Sequence, residues 1–335
     1  MVKLVLPGPA MQAIQVTRFN FTNQLHALLS DRALWGNLDN LDVNLVDPFA
    51  KYAPPTGQLS TVNSGSLYNL AYKNCCTKAD NFLIGIIFAC DETKLQKRSN
   101  AGSWPLMFTV SILNQKMRNQ PIAWKSLGYI FDLSMIQSQA DPKGQSQDLK
   151  AERLHAIFKV VLSTFIDAQK KFDSIALSLG NYTERVNLKP ICFFVIGDMQ
   201  GGDKIYCTFA SYSNTMKRMC RKCNMWGCDA GDPFIKYQRM SMLKIMELVH
   251  QNRHDILKEI NQYNVHSAWF DVDYGGCRFG IFSAATPVEP LHALENGLIT
   301  DCVCILFEEE MTPKQKWVLD SLVWHLANLP RQRFA

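Results

Sequence analysis

The longest apolar run of this chain ends directly in acid. Residues Phe82–Cys90 carry no charge, and Asp91 and Glu92 follow at once. A run of this length between polar segments is typical of a strand that is buried on both faces. A second such run, Ile191–Gly197, ends in the same way at Asp198. We therefore expect two core strands, each of which delivers a carboxylate at its end.

The composition is that of a globular protein, and we expect the protein to stay inside the cell because it has no clear signal peptide or membrane span. Of 335 residues, 47% are hydrophobic and 19% are charged, and the formal charge of +5 permits DNA as a partner without requiring it. No apolar run approaches the roughly 20 residues needed to cross a bilayer, so no membrane association is expected. Pro7 and Pro9 break the only N-terminal stretch that resembles a signal peptide. The eleven cysteines lie mostly in apolar runs, as reduced core thiols do.

The order of the predicted elements limits the number of folds that the chain can adopt. Three strand candidates are followed by an amphipathic helix, a weaker strand and a fourth buried strand; their ranges are Phe82–Cys90, Trp104–Leu113, Ser126–Phe131, Leu149 to about Phe172, Ile175–Leu179 and a run from Lys189. This order is typical of the ribonuclease H-like fold, in which the first and fourth strands lie side by side. We predict an α/β protein with a mixed sheet flanked by helices. Asp is also common after strands because it favours turns, so the two acids alone do not decide whether a metal site is present.

A third acid is expected from a later helix. Pro290 suits a first helical turn, and a core-facing stripe follows at Leu291, Leu294, Leu298, Cys302 and Ile305. Glu295 lies beside this stripe, where it can reach the sheet, although it also fits an ordinary boundary glutamate. Three carboxylates can clamp two divalent cations about 3.5–4 Å apart, the arrangement that phosphodiester cleavage uses.

The segment CRKCNMWGC contains half of a zinc site. The C-x-x-C spacing of Cys220 and Cys223 lets two thiolates bind one Zn²⁺, and a structural site needs two further ligands. His250 and His254 are four residues apart in a helix-like sequence, so we predict both on one helix face as the missing ligands. Competing ligands are Cys228, His266 and Cys277. A redox C-x-x-C is less favoured, because no thioredoxin-like unit surrounds it.

Basic and aromatic residues surround this segment. The basic residues are Lys217, Arg218, Arg221 and Lys222. With Trp226 and Tyr212 they are candidates for contacts to nucleic-acid phosphates and bases. A solvated surface around a small zinc loop explains the same pattern, so both interpretations stay open.

Several motifs occur in the order found in one protein family. They are DPFAKYAPPTGQLSTVNSGSLYNLAY, IIFACDETKL, WPLMFTVSILNQKMRNQPIAWKSLGYI, FFVIGDMQGGDK, CRKC and AWFDVDYGGCRFGIFSAATPVEPLHALENG. Together they resemble the central region of the Plavaka-type transposases, a family similar to the CACTA and KDZ groups. The likeness extends from about Asp47 to Phe307, and it rests on the order of the motifs, since no single motif would decide it.

This resemblance implies a ribonuclease H-like catalytic core with a DDE triad. The family's acids match Asp91 in CDET, Asp198 in IGDMQ and Glu295 in LHALENG. The resemblance further implies a nuclear enzyme that binds double-stranded DNA at transposon ends and cleaves it. The enzyme would then join the freed 3′ hydroxyl to target DNA with Mg²⁺ or Mn²⁺. A homodimer is expected by analogy, because two DNA ends must be paired.

Four segments are expected along the chain. They are an irregular N-terminal arm (1–80), the first part of the core (81–205), an insertion with the zinc site (206–285), and the catalytic helix with the C-terminal end of the core (286–335). The first 46 residues hold no paired cysteines or histidines for a DNA-binding zinc finger. We therefore expect a truncated copy or a fragmentary gene model.

Two other functions remain as alternatives to an active transposase. One is a catalytically inactive, transposase-derived DNA-binding or interaction protein that uses the zinc loop and basic surface without cleavage. The other is a cellular nuclease of the ribonuclease H type. The nuclease is less favoured, because the resemblance extends through the arm and the zinc segment.

Overall fold

The structure is a computed structural model. It describes residues 1–8, 12–53, 61–91, 93–94, 102–131, 147–197, 199–209, 223, 226, 234, 236–282, 312 and 314–315. Contacts divide the chain into two compact units, Met1–Pro287 and Val288–Ala335. All elements below belong to the first unit. In the second unit the described residues include a local turn in which the Gln315 side chain accepts hydrogen bonds from the Thr312 backbone N–H and hydroxyl, each at 2.8 Å.

The described strands form a hairpin and a larger mixed sheet. The strands are β1 (Val2–Val5), β2 (Ala13–Val16), β3 (Asn81–Cys90), β4 (Thr93–Lys94), β5 (Gly102–Val110), β6 (Lys125–Phe131), β7 (Asp173–Leu179) and β8 (Tyr182–Ile196). β1 and β2 pair with each other. In the larger sheet the order is β6, β5, β3, β8, β7, and β4 pairs with β5 beyond the end of β3. The chain thus has a mixed α/β architecture.

Helices flank this sheet. The described α-helices are α1 (Phe21–Leu29), α2 (Arg32–Trp35), α3 (Ser66–Cys75), α4 (Gln115–Arg118), α5 (Gln147–Gln169), α6 (Met199–Tyr206), α7 (Met242–His250) and α8 (His254–Glu259). Short 3-10 helices occur at Leu38–Asn40, Val62–Ser64, Pro121–Ala123, Ala268–Asp271 and Gly280–Phe282. Among the residues described, no helix combines the length and apolarity needed to span a membrane.

The predicted pairing of the first and fourth core strands is confirmed. β3 pairs antiparallel with β5, and β5 pairs antiparallel with β6. After α5 the chain returns through β7 into β8, which lies parallel to β3 on its other side. The strand β3 is therefore central, and this explains why nearly every one of its residues is buried.

The predicted amphipathic helix is also confirmed, and it covers one face of the sheet. α5 spans 23 residues and buries the stripe at Leu154, Phe158, Val161 and Phe165. The ring of Phe165 lies 4.9 Å from that of Phe88 in β3. This helical spacing and the alternation of the strand bring the two apolar faces together as the main core.

The predicted irregular N-terminal arm contains regular structure, and its helix α1 packs into the core, whereas residues 41–53 form no helix or strand. Asn20 caps α1 by accepting a hydrogen bond from the Asn23 backbone N–H at 3.0 Å. Phe21, Leu25 and Leu28 follow at helical spacing and are buried. The Phe21 ring lies 4.8 Å from Phe165, so α1 packs into the same core as α5.

The opposite face of the sheet is covered in part by α3. Tyr68 and Ala71 pack there against a separate cluster that includes Ile191 and Phe193 of β8. Gly275 lies against the same helix, where a Cβ atom would fall 2.4 Å from the Ala71 Cβ. Gly275 also has a φ of +67°, a conformation that side chains disfavour, so both its backbone and its packing require glycine.

The described part of the predicted insertion shares the main core. Trp269 is fully buried, and its ring lies 5.6 Å from Phe88 and 5.7 Å from Phe158. The Gln169 side chain binds the backbone of Asp273 twice. Its Nε2 donates to the Asp273 carbonyl at 2.8 Å, and its Oε1 accepts from the Asp273 N–H at 2.9 Å. Residues 236–282 are thus fastened to both the sheet and α5.

Candidate functional site

The ends of two parallel strands define the candidate site. In the pairing of β3 with β8, Ala89 lies opposite Ile196. β3 ends one residue later at Cys90, and Asp91 follows with an exposed side chain. Ile196 is 40% exposed although its neighbour Val195 is buried. Both strands therefore emerge into solvent at the same edge of the sheet.

Gly197 allows the backbones to approach each other closely at this edge. A Cβ atom on Gly197 would lie 2.9 Å from the carbonyl oxygen of Cys90. This distance is shorter than Cβ contacts in proteins, and a backbone oxygen cannot turn away as a side chain can. The glycine therefore brings the chain just before position 198 against the chain just before Asp91. In the sequence, only the Gly-Asp pair directly after an apolar run hints at this role of Gly197.

Gly197→Ala is expected to disturb this edge. The added methyl group must push the two strand ends apart, so we expect the free energy of unfolding to fall by about 1–3 kcal/mol. We also expect loss of any metal-dependent DNA nicking, measured with a labelled duplex. The matched control is Gly65→Ala, whose added Cβ would meet its nearest neighbour, the Val62 carbonyl oxygen, at an ordinary 3.4 Å. Nicking by Gly197→Ala at the level of this control would contradict the role of the close approach.

The other two predicted acids, Asp198 and Glu295, lie outside the described residues. α6 begins at Met199, directly after Asp198 in the chain. Among the residues that the structure does describe, no group of three or more His, Cys, Asp or Glu side chains could hold a metal ion. The triad as a set therefore stays a prediction.

Lys204 lies near the strand ends, a position that the sequence pattern does not indicate. The Lys204 ammonium, on α6, lies 3.9 Å from the centre of the Trp104 ring. Trp104 stands two residues before Leu106, the β5 partner of Cys90. A cation on an aromatic face at this distance is held by the ring's negative face. The arrangement places a positive charge beside the end of β3.

His155 fixes α6 against α5. The imidazole is buried, and its Nδ1 accepts a hydrogen bond from the Ala268 backbone N–H at 3.2 Å. Nε2 therefore carries the proton and donates it to the Lys204 carbonyl at 3.1 Å. Burial lowers the pKa of His155 to about 4, from its usual value of 6.5. One neutral imidazole thus joins three segments of the fold.

This buried histidine makes stability depend on pH. The unfolded chain takes up a proton near pH 6.5, while the folded protein resists protonation until about pH 4. The stability it contributes is present above pH 6.5 and is lost as the pH falls toward 4, by about 3 kcal/mol. Between pH 7 and pH 4 the free energy of unfolding of the wild type should therefore fall by about that amount more than the free energy of unfolding of His155→Gln. A difference that does not vary with pH would contradict this.

The two predicted zinc-ligating histidines do not share one helix. His250 is the last residue of α7, and His254 is the first residue of α8. Asn252 adopts a φ of +56°, and the N–H of Arg253 donates to the Leu248 carbonyl at 3.0 Å. A second hydrogen bond runs from the Asn252 N–H to the Val249 carbonyl. Together the two bonds form a Schellman motif, which ends a helix. The expectation of one continuous helix face is therefore wrong.

Most of the remaining zinc and DNA candidates are not described. Cys220 and all four predicted basic residues, Lys217, Arg218, Arg221 and Lys222, lie outside the described residues. Cys223 is described and forms an antiparallel bridge with Arg239. His254 contacts Asn264 at 2.9 Å, and His266 pairs with Asp271 at 2.9 Å. A zinc site at Cys220 and Cys223 stays a prediction.

Comparison with known proteins places the chain in a class. A family model of transposases matches residues 21–304. The model is that of the Plavaka transposase, and the match covers well over half of the chain, so the chain belongs to the Plavaka transposase family. No curated protein matches the chain significantly. The family predicted from the order of the sequence motifs is thereby confirmed.

Proposed function

We propose that this chain is a DDE transposase that cleaves and joins DNA strands with Mg²⁺ or Mn²⁺, using Asp91, Asp198 and Glu295. One observation carries the proposal. β3 and β8 are adjacent and parallel, and counting two residues on from the pair Ala89 and Ile196 gives Asp91 and Asp198. The carboxyl ends of neighbouring parallel strands meet at one edge, so the register supports a shared site for the two acids. The strand order supports a ribonuclease H-like core.

The residues at this edge suit a divalent cation. Asp91 offers carboxylate oxygens, the hard ligands that Mg²⁺ prefers, and its side chain is exposed and accessible to substrate. The close approach at Gly197 brings the second strand end within reach of the first. A helix that carries Glu295 would complete the ligand set, as the family resemblance implies.

The roles of the residues follow from this arrangement. When bound, the metal ions would activate the attacking oxygen and stabilise the leaving oxygen. Asp91 directly follows the central strand β3, which pairs with β5 and β8 on its two sides near its end, so the backbone before Asp91 is held in place. In this proposal the DNA phosphates lie near the Lys204 ammonium, which lies over the Trp104 ring. Water attacks first and a 3′ hydroxyl attacks next, in line with the leaving oxygen, so the chain's side chains form no covalent intermediate.

The remaining predictions extend the proposal. Zn²⁺ would be structural, held by Cys220 and Cys223 with His250 and His254 or with other ligands, and the basic residues from Lys217 to Lys222 would contact DNA. Because the two histidines belong to separate helices, their joint use requires that α7 and α8 present them together. We also propose nuclear localisation and a homodimer that pairs two DNA ends.

The experiment uses the purified full chain with end-labelled duplex DNA. The proposal predicts nicks and joined products that require added Mg²⁺ or Mn²⁺ and are lost in Asp198→Asn. The alternative, an inactive DNA-binding derivative, predicts DNA binding by the wild type with no product under any metal condition. That second result would exclude the enzymatic proposal for this chain.

A further inference from the structure

Two arginine side chains converge on one aromatic ring outside the candidate site. The guanidinium carbon of Arg278 lies 4.6 Å from the centre of the Phe279 ring, and that of Arg239 lies 5.9 Å from it. Both arginines are exposed, and the ring is partly exposed. Arg239 comes from the segment before α7, so two distant parts of the chain build this cluster, which we call the Arg-Phe-Arg cluster.

The ring is held by a fixed backbone. The Phe279 carbonyl accepts a hydrogen bond from the Phe282 N–H at 3.0 Å, in a 3-10 turn. The next residue, Gly280, has a φ of +51°, and a Cβ atom there would lie 2.2 Å from the Met242 sulfur of α7. Phe282 in turn stacks on Tyr206 of α6, with ring centres 5.4 Å apart. The ring of Phe279 is therefore a preorganised surface.

The two positive charges of the cluster have no described counter-charge. Within the described ranges, neither Arg239 nor Arg278 forms an ion pair with a carboxylate, whereas the exposed Arg253 binds Asp255 at 2.9 Å. Like charges near one ring repel each other, and a cation on a partly exposed ring gains little to offset this. An anionic ligand that bridges the two guanidinium groups would remove the repulsion.

The chain around Arg239 favours nucleic acid over a small anion. Arg239 bridges to Cys223, which follows the run of basic residues from Lys217 to Lys222 in the sequence. Trp226, three residues further on, is 37% exposed. Guanidinium groups bind phosphates, and exposed aromatic faces stack on unpaired bases, so the combination fits a single strand better than a compact ion.

We propose that the Arg-Phe-Arg cluster binds single-stranded DNA, with phosphates on Arg239 and Arg278 and a base stacked on Phe279. A strand that has been nicked and opened beside the candidate site would supply such a ligand. The inference rests on the proposed function for its choice of DNA, but the binding requires no added metal and no cleavage.

Fluorescence anisotropy with the full chain and labelled 20-nucleotide single strands, without added Mg²⁺, tests the electrostatic part. The double variant Arg239→Gln/Arg278→Gln should raise the Kd at least about fivefold, and the slope of log Kd against log salt should fall by about 1.4, for two lost phosphate contacts. The matched control is Arg253→Gln, which loses an ion-paired charge and should change the Kd less than about twofold. Equal Kd and slope in the double variant and the wild type would overturn the proposal.

Phe279→Leu tests base stacking separately. It should weaken single-strand binding by about tenfold and leave the salt slope unchanged, since no charge is lost. Duplex binding should change less than about twofold. Unaltered single-strand binding, or competition by polyglutamate as effective as that by DNA of equal charge, would overturn the proposal.

The two proposals fail in distinguishable ways. Asp91→Asn should abolish nicking while it leaves single-strand binding at the Arg-Phe-Arg cluster unchanged. If instead the arginine variants bind DNA normally while the wild type still nicks DNA with added metal, the cluster proposal is overturned and the proposed function remains.

Discussion

Asp91→Asn is expected to reduce metal-dependent DNA nicking by about a hundredfold or more. Asn keeps the size of the side chain but removes a negative charge from the proposed metal ligands. Bound metal contributes several kcal/mol of charge stabilisation in such reactions, and each 1.36 kcal/mol corresponds to a factor of ten in rate. The rate should be measured on labelled duplex DNA in Mg²⁺ and in Mn²⁺.

The control for this variant is Glu184→Gln. Glu184 is an exposed acid near the start of β8, at the end of the strand remote from Ile196 and about 40 Å away along it. The same loss of one carboxylate charge there should leave nicking within about twofold of the wild type. Because Asp91 is exposed, both variants should unfold at nearly the same temperature. Retention of full activity by Asp91→Asn would remove Asp91 from the site.

Phe88→Ala is expected to lower the free energy of unfolding by about 3–5 kcal/mol, as for other buried Phe→Ala changes. Phe88 is fully buried on the central strand, and its ring contacts Phe165 of α5, Trp269 and Phe108. The truncated side chain would leave a cavity where the sheet, the helix and the segment after α8 meet. Denaturant unfolding of the purified variant measures the loss.

Phe172→Ala provides the comparison for this core variant. Its ring is 41% exposed and lies 5.8 Å from the Lys189 ammonium. Little apolar surface returns to water when it is removed, so we expect a loss of less than about 1 kcal/mol. Equal losses in the two variants would mean that Phe88 does not join the three parts of the core as described.

The strand order was predictable from sequence because β3 is buried on both faces. A central strand reads as a continuous apolar run, and such runs are the strongest local signal of sheet structure. The first half of β8 was missed, because its residues from Tyr182 to Arg185 are exposed in a hairpin with β7. An edge hairpin of polar residues carries no hydrophobic pattern, and here the pair Gly180-Asn181, with a φ of +59° at Gly180, marks its turn.

The helix break at Asn252 shows a second limit of sequence reasoning. Apolar spacing continues from α7 into α8, so periodicity alone predicts one helix. The break depends on a single Asn that adopts a positive φ, which Asn tolerates better than most residues. By contrast, α1 had a readable signal in its Asn20 cap and the spacing of Phe21, Leu25 and Leu28, but its position in the core depends on tertiary contacts with Phe165.

Candidate site residues were easier to find than their geometry. Asp91 and Asp198 stand out because acid directly follows an apolar strand, and the register of β3 with β8 agrees with that interpretation. The contributions of Gly197 and Lys204 could not be predicted, because they depend on a close backbone approach and on a contact with Trp104 across the sheet. The Arg-Phe-Arg cluster likewise unites residues about forty positions apart.

Anomalous diffraction from crystals of the full chain grown with Mn²⁺ tests the shared metal site most directly. We predict a manganese peak within about 2.0–2.3 Å of carboxylate oxygens from both Asp91 and Asp198, with Glu295 completing the site. Manganese bound elsewhere, or the two aspartates too far apart to share one ion, would contradict the proposed transposase site.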